Sequence, residues 1–292
     1  MVSAMKKGKA IKIIAIFGMM VYIMAHHAER GGEGDFRYGD SLDRETITMA
    51  GSTSMEKLAN ALAESFMEKY PDVTVNAEFT GSSAGIESML AGTVHIGNTS
   101  RTLSEQEKTA GAVENIVALE GIAVITDTSN IVTSLTREQL TDIYAGRIRN
   151  WREIGGENKP IVVIGREAGS GTRETFERLL GLEYKCAYAN ELDSTGAVMA
   201  RAASIPGAIG YVSRDVLDDT VQVLAIDGFK PTDNNILEGS YPLSRPLIMA
   251  TKGQISTQET AVKKLFDYLR SEEGRRLIES VGLIAPESGV MQ

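Results

Sequence analysis

Residues 165–172 read Gly-Arg-Glu-Ala-Gly-Ser-Gly-Thr and lie between an apolar run, residues 161–164, and a segment with helical periodicity. This order predicts a strand, a glycine loop and a helix. The glycines let the backbone approach a ligand closely, and the first N–H groups of the helix lie at the same place. Arg166 adds a permanently charged donor that suits an oxyanion. The stretch predicts an anion-binding loop, although an ordinary strand-to-helix turn has the same local sequence.

Three earlier segments also end a predicted strand in a polar loop. Residues 45–51 and 73–79 alternate like strands, and a short strand is predicted at 94–96. The loops that follow carry hydroxyl and guanidinium groups, namely Ser52, Thr53 and Ser54, then Ser82 and Ser83, then Ser100 and Arg101. Ligands of open α/β sheets bind outside the carboxyl ends of the strands, so these loops indicate one shared site. Thr53 and Glu56 also fit a capping box, so helix capping is an alternative explanation of the first loop.

The alternation of strands and helices predicts an α/β fold with largely parallel sheets. A longer apolar stretch, residues 116–125, is interrupted at Glu120-Gly121 and predicts a strand that passes from one lobe to another. The polar loops fall on both sides of this strand. We therefore expect two lobes, with residues 44–124 and 241–292 in lobe 1 and residues 125–240 in lobe 2. An anion held between them would stabilise a closed form.

The composition argues against several classes of protein. The 292 residues include 30 basic and 39 acidic side chains, which give a net charge of −9. A nucleic-acid partner is disfavoured because such proteins are usually basic, and an anion must here be recognised by local donors. Cys186 is the only cysteine, which excludes an internal disulfide and a multi-cysteine metal site. The three histidines have no metal-ligand spacing, so neither a metal nor a cofactor is expected.

The amino-terminal segment has the layout of an export signal. Lysines at positions 6, 7, 9 and 12 precede an apolar run over residues 13–25. The pattern predicts a signal peptide or an N-terminal anchor over residues 1–27. The apolar run is short for a membrane span, and no clean cleavage site follows it, so membrane association by this segment stays open. Residues 28–43 are rich in glycine and charge and predict a flexible linker.

The polar loops and several further motifs, in this order, resemble the phosphate-binding proteins that serve bacterial phosphate ABC transporters. The motifs span residues 45 to 285 and are 50–54, 81–86, 100–101, 140–146 with 150–151, 166–172, 206–212 and 241–246. The resemblance implies a two-lobed periplasmic-binding-protein fold of the second type. It also implies reversible capture of inorganic phosphate outside the cytoplasm, delivery to an ABC permease and its ATPase, and a monomeric state.

The resemblance also assigns phosphate contacts residue by residue. Lobe 1 would donate from two loops and, less closely matched, from a third, while lobe 2 would close from the other side. The implied contacts are Ser52, Thr53, Ser54, Ser83, Ser100 and Arg101 in lobe 1, and Arg166, Ser170, Gly171 and Thr172 in lobe 2. Ser194 and Thr195 fit either a ligand contact or a helix cap, and Arg245 fits a structural ion pair better than a hinge element.

The sequence departs from the family at acidic positions. Some members of the family carry aspartates where this chain has Ser100 and Ala168, and the shorter members often carry one where this chain has His95. Phosphate keeps a proton at neutral pH and sulfate does not, so an acceptor in the site favours phosphate. A serine hydroxyl accepts such a proton but repels sulfate less than a carboxylate does. Sulfate, molybdate and tungstate therefore stay open as ligands, as does the role of a membrane-tethered phosphate sensor.

An enzymatic function is not expected. The hydroxyl groups have no evident base, since His95 is the only histidine of the predicted folded part. Residues 169–172 also lack the lysine and the spacing of a nucleotide-binding P-loop.

Overall fold

The computed structural model describes residues 45–286, which lie within one compact unit, Arg44–Gln292. The predicted signal peptide or anchor, residues 1–27, and the predicted linker, residues 28–43, lie outside the described residues. Between residues 45 and 286, every helix is too short or too polar to cross a membrane.

The strands and helices alternate along most of the described chain. The strands are β1 (Glu45–Gly51), β2 (Val73–Glu78), β3 (Ile96–Thr99), β4 (Ala112–Val113), β5 (Ile116–Asp127), β6 (Ser134–Leu135), β7 (Val162–Arg166), β8 (Asn190–Leu192), β9 (Ala208–Ser213), β10 (Val221–Val223), β11 (Ala225–Ile226) and β12 (Ser244–Lys252). The α-helices are α1 (Glu56–Lys69), α2 (Ser82–Leu90), α3 (Glu105–Thr109), α4 (Arg137–Tyr144), α5 (Gly171–Leu180), α6 (Thr195–Ser204), α7 (Asp233–Leu237), α8 (Thr260–Arg270) and α9 (Glu272–Ser280).

One long sheet runs through the molecule in the order β2-β1-β3-β12-β5-β9-β7-β8. β1 is parallel to β2 and β3, whereas β12 is antiparallel to β3. On the other side, β9 is antiparallel to β5 and parallel to β7, and β8 is parallel to β7. We call the half with β1–β4 and β12 the first lobe and the half with β7–β9 the second lobe.

Strand β5 joins the two lobes. It pairs with β12 from Ile116 to Gly121 and with β9 from Ile122 onward, so its partner changes at the glycine. A Cβ atom on Gly121 would lie 2.9 Å from the side chain of Pro231, which is closer than side chains pack. Gly121 therefore lets another segment pack closely against β5 at the point where the strand passes between lobes.

Each lobe has its own apolar core. In the first lobe, Phe66 of α1 and Phe266 of α8 pack with Ile47 of the sheet. In the second, Phe176 of α5 stacks on Tyr211 of β9 with ring centroids 4.1 Å apart. Each such buried side chain contributes roughly 1.5–3 kcal/mol of transfer free energy. The two cores pack against the strands and so position the loops that follow them.

A capping box begins α4: the Thr136 hydroxyl accepts from the backbone N–H of Gln139, and the Gln139 side chain accepts from the backbone N–H of Thr136. The third strand was predicted at 94–96 but extends from Ile96 to Thr99. Its Gly-Asn-Thr end has little intrinsic strand preference, and pairing with β1 and β12 on both sides imposes the extended conformation.

Candidate functional site

The polar loops of the two lobes meet at the carboxyl ends of β1, β3 and β7. Ser54, after β1, lies 2.8 Å from Thr172 of α5, measured between the hydroxyl oxygens. The hydroxyl oxygens of Thr53 and Thr195 of α6 lie 3.2 Å apart. Hydroxyl groups from opposite lobes are therefore in direct contact, and all four residues are buried. The structure is a closed arrangement of the lobes.

In the first loop, Ser52 rather than Thr53 caps the helix start. Its hydroxyl accepts from the backbone N–H of Ser54 at 3.2 Å and donates to Ser100 Oγ at 2.9 Å. The predicted capping box of Thr53 and Glu56 is therefore wrong. Because Ser52 already caps the 3-10 turn, the Thr53 hydroxyl is available to reach across to the second lobe.

In the second loop, the residue that faces the other hydroxyls is Ser82 and not Ser83. Ser82 Oγ accepts from the Ser100 backbone N–H at 3.2 Å. The Ser83 backbone N–H donates instead to Gly169 O at 3.2 Å, and its side chain lies 3.4 Å from Arg101 Nη2. Ser83 thus contacts the second lobe at the edge of the site.

Arg101 is held by two carboxylates. Its Nη2 lies 2.7 Å from Glu107, and its Nε lies 2.7 Å from Glu174 of α5. Burial alone would lower the Arg101 pKa, but the two carboxylates outweigh it and raise the pKa above its usual value. Burial alone would raise the Glu107 pKa, but the hydrogen bonds from Arg101 and Ser104 and the charge of Arg101 outweigh it, so the pKa lies below its usual value. The structure thus places Arg101 in an ion pair between the lobes. Ser100 of the same loop instead joins a group of hydroxyls in mutual contact, which we call the hydroxyl cluster: Ser52, Thr53, Ser54, Ser82, Ser100, Thr172 and Thr195.

The fourth loop places Thr172 at the centre of the cluster. Ser170 caps α5 by accepting from the Arg173 N–H at 3.3 Å. Gly171 packs so closely on Ser82 that a Cβ atom would lie 2.4 Å from its hydroxyl oxygen. The N–H groups of Gly171 and Thr172 belong to the first turn of α5, where they have no partner within the helix. Such N–H groups favour an anion.

Arg166 is buried and faces the cluster by one edge. Its Nη1 donates to Thr195 Oγ1 at 3.1 Å. Its Nε and Nη2 donate to the two carboxylate oxygens of Glu167 at 3.0 and 2.9 Å. The edge of the Arg166 guanidinium that carries Nε and Nη2 is therefore paired with Glu167. Glu167 thus brings a carboxylate to Arg166, although Ala168 stands where the resemblance implies an aspartate in some members of the family.

Sequence reasoning did not assign Thr195 and Arg245 to the site. Ser194 caps α6 by accepting from the Ala197 N–H, so the Thr195 hydroxyl is left for the cluster, 3.2 Å from Ser54 Oγ. The sequence signal for Thr195 is its position just before a helix, next to Ser194. That signal fits a helix cap as well as it fits a ligand contact. Arg245 forms the predicted ion pair, with Glu120, and also donates to Thr172 Oγ1 at 2.8 Å.

The hydroxyl groups of the cluster are oriented by N–H donors. Five hydroxyl oxygens accept from such a donor: Ser52 from Ser54 N, Thr53 from Thr195 N, Ser82 from Ser100 N, Thr172 from Arg245 and Thr195 from Arg166. An oxygen that accepts from an N–H group keeps its own proton to donate. The cluster therefore presents O–H donors, and its chemistry suits an oxyanion.

Other groups in the described chain do not suggest a second chemistry at this place. His95 contacts Thr48, with 2.8 Å between Nδ1 and the hydroxyl oxygen, rather than a hydroxyl of the cluster. In residues 45–286, no three His, Cys, Asp or Glu side chains are arranged to hold a metal ion.

The comparisons with known proteins agree with this architecture. The family described as PBP superfamily domain matches residues 37–273. The phosphate-binding protein PstS of Bacillus subtilis is 33% identical over 282 residues, which cover 94% of this chain and 92% of the relative. The chain therefore belongs to the PBP superfamily and, within it, to the family of the PstS phosphate-binding proteins. This confirms the resemblance drawn from the motifs.

Solved structures show the same fold. A putative phosphate ABC transporter substrate-binding protein from Clostridium perfringens, solved with bound phosphate, is 37% identical, with a TM-score of 0.80 over 83% of this chain and 100% of the other. An ABC-type phosphate transport receptor from Vibrio cholerae is 34% identical, with a TM-score of 0.71 over 82% of this chain and 100% of the other. The predicted two-lobed α/β fold is confirmed.

Proposed function

We propose that the chain captures inorganic phosphate and delivers it to an ABC-type phosphate importer. The observation that carries the proposal is the contact between the lobes at Ser54 and Thr172, where O–H donors from both sides converge. The names of the Bacillus, Clostridium and Vibrio relatives support the same ligand and the same transport role. No covalent step is part of this function.

The binding mechanism follows from the closed arrangement. The first loop and Ser100 donate from the first lobe, while Thr172, Thr195 and the N–H groups of the α5 start donate from the second. An anion that contacts both sets at once binds the closed form better than the open one, and so shifts the population toward it. Arg166 is paired with Glu167, and Arg245 is paired with Glu120. Because carboxylates neutralise both of these arginines, hydrogen bonds rather than net charge hold the ligand.

The cellular setting belongs to the proposal as well. We place the protein outside the cytoplasm, in the periplasm or on the outer face of the membrane, as a monomer that docks on the permease of the importer and its ATPase. The charged and then apolar order of residues 1–27 supports export.

A second candidate is the capture of another oxyanion, such as sulfate, molybdate or tungstate. The observation that favours it is the absence of a carboxylate at Ser100, whose hydroxyl lies against Ser52, Ser82 and Thr172. A site of O–H donors without a carboxylate repels a fully deprotonated anion only weakly.

Isothermal titration of the purified chain, stripped of bound anion, separates these functions. We expect phosphate to bind, and we expect Thr172→Val to weaken binding by about 1.5–3 kcal/mol, the contribution of a hydrogen bond to a charged group. Thr126→Val is the matched control, because among residues 45–286 the buried Thr126 hydroxyl bonds only to the Asp127 carbonyl. Binding of sulfate with no binding of phosphate would refute phosphate capture and favour the second candidate.

A further inference from the structure

An ion pair that is inaccessible to solvent lies behind the hydroxyl cluster. Glu120 of β5 and Arg245 of β12 are both fully buried, and Arg245 Nε lies 2.8 Å from Glu120 Oε1. Ser213 donates to the other oxygen of the same carboxylate. The desolvation of two buried charges roughly cancels their attraction, so stability of the fold is a weak explanation for such a pair. A role in the site is a stronger one.

The remaining edge of the guanidinium points out of the pair and into the cluster. Arg245 Nη1 donates to Thr172 Oγ1 at 2.8 Å and to the Ser100 backbone carbonyl at 3.1 Å. Arg245 belongs to the first lobe and Thr172 to the second, so the contact crosses between the lobes. The Arg245 guanidinium that makes this contact is fully buried, and Glu120 holds it in place.

The direction of this hydrogen bond determines what Thr172 can do. A guanidinium can only donate, so the Thr172 oxygen accepts from Arg245 and its own proton is donated elsewhere. The Ser54 hydroxyl lies within reach at 2.8 Å, and so would an anion held between the lobes. Without Arg245, the Thr172 hydroxyl could instead turn its proton away and face the anion with lone pairs, which would repel it.

We propose that Arg245, held by Glu120, is a positioning residue of the phosphate site that fixes the Thr172 hydroxyl as a donor to the anion. The inference rests on the proposed function and adds a residue outside the contacts that the family resemblance assigns. Arg245 acts through Thr172 and needs no contact with phosphate itself.

A double-mutant cycle on phosphate affinity tests the proposal. Arg245→Lys keeps a positive charge but loses the planar fork that reaches Glu120 and Thr172 together. We expect it to weaken phosphate binding by about ten- to a hundredfold in the wild-type background. In the Thr172→Val background the same change should have little further effect, because the hydroxyl it orients is gone. An undiminished effect in the Thr172→Val background would overturn the proposal.

A second variant separates positioning from folding. Arg245→Met combined with Glu120→Gln removes both charges and leaves no lone buried ion. We expect this variant to keep a cooperative thermal transition and to show the same loss of affinity, whereas unchanged affinity in a folded variant would overturn the proposal. Arg214→Lys is the matched control, since Arg214 is largely buried but donates to the Pro231 and Gly282 carbonyls.

The phosphate affinity of the wild-type chain separates failure of the proposed function from failure of the positioning role. If the wild-type chain binds no phosphate, the proposed function and the positioning role both fall. If the wild-type chain binds phosphate and Arg245→Lys binds it equally well, only the positioning role falls.

Discussion

Ser54 and Thr172 stand 118 positions apart in the chain and bring their hydroxyl oxygens to 2.8 Å. Ser54 follows the first strand of the first lobe, and Thr172 begins a helix of the second lobe. The contact exists only when the lobes are closed. It therefore joins the two lobes on either side of Gly121, where β5 changes partners.

Thr195 should contribute to phosphate affinity although its position first indicates a helix cap. Thr195→Val removes the hydroxyl that accepts from Arg166 at 3.1 Å and lies 3.2 Å from Thr53 and Ser54. We expect calorimetric titration to show weaker phosphate binding, by about 1.5–3 kcal/mol. Ser271→Ala is the control, because Ser271 caps α9 and its loss should cost about 1 kcal/mol of stability with no change in affinity. Equal phosphate affinities for Thr195→Val and the wild type would remove Thr195 from the site.

A carboxylate at position 100 should improve discrimination against sulfate. Ser100→Asp places a proton acceptor beside Ser52, Ser82 and Thr172. Protonated phosphate can donate to it, whereas sulfate is repelled. We expect the ratio of phosphate to sulfate affinity to rise at least about tenfold, equivalent to about 1.4 kcal/mol. The uncharged Ser100→Asn should leave the ratio close to that of the wild type, and a similar gain in both variants would show that charge is not the cause.

The ion pair between Arg101 and Glu174 should slow the release of ligand. Glu174→Gln keeps the shape of the side chain and removes its attraction to Arg101 across the lobes. Glu174 is about half exposed, so the pair should contribute only about 0.2–1 kcal/mol, or up to about fivefold in the rate of phosphate release. Stopped-flow measurements should show the difference shrinking at high salt. The exposed Glu105→Gln serves as a control, and a release rate unaffected by Glu174→Gln would exclude this role.

Asp215 should make stability depend on pH. It is buried, neither of its side-chain oxygens has a hydrogen-bond partner in the described chain, and burial together with Glu120 raises its pKa from 3.8 to about 6. The native state therefore holds the proton more tightly than the unfolded state, so this group lowers stability as pH rises from 3.8 to about 6, and the full cost is present above about 6.

Asp215→Asn should therefore stabilise the protein most at neutral and higher pH. We expect a gain on the order of 2–3 kcal/mol in the free energy of unfolding at pH 8, which shrinks as the pH falls below about 6. Denaturant titrations at pH 5 and pH 8 measure the difference, with the exposed Asp219→Asn as the control. A gain that does not depend on pH would show that the Asp215 carboxyl is not the titrating group.

The sequence was informative wherever local order carries the signal. The strand, polar loop and helix units could be read directly, because alternating strands and helix starts leave their own pattern around residues such as Ser54 and Thr172. The passage between the lobes was also indicated, because Glu120 and Gly121 interrupt an otherwise apolar stretch. The family motifs then linked these units in a single order.

The placements that the sequence could not specify depend on tertiary contacts. Whether Ser82 or Ser83 faces the cluster depends on the rotation of α2 at its first turn, which a run of two serines does not specify. Thr195 joins the cluster because Ser194 already caps its helix. Arg101 turns toward Glu107 and Glu174, and Arg245 toward Glu120, because those acids are brought within reach only by folding.

A crystal structure of the chain grown with phosphate and without sulfate tests the central claim most directly. We expect phosphate between the lobes, with its oxygens within hydrogen-bonding distance of Ser54, Thr172 and Thr195 and of the N–H groups at the start of α5. Phosphate bound at another place, or lobes closed on each other without an anion at saturating phosphate, would contradict it.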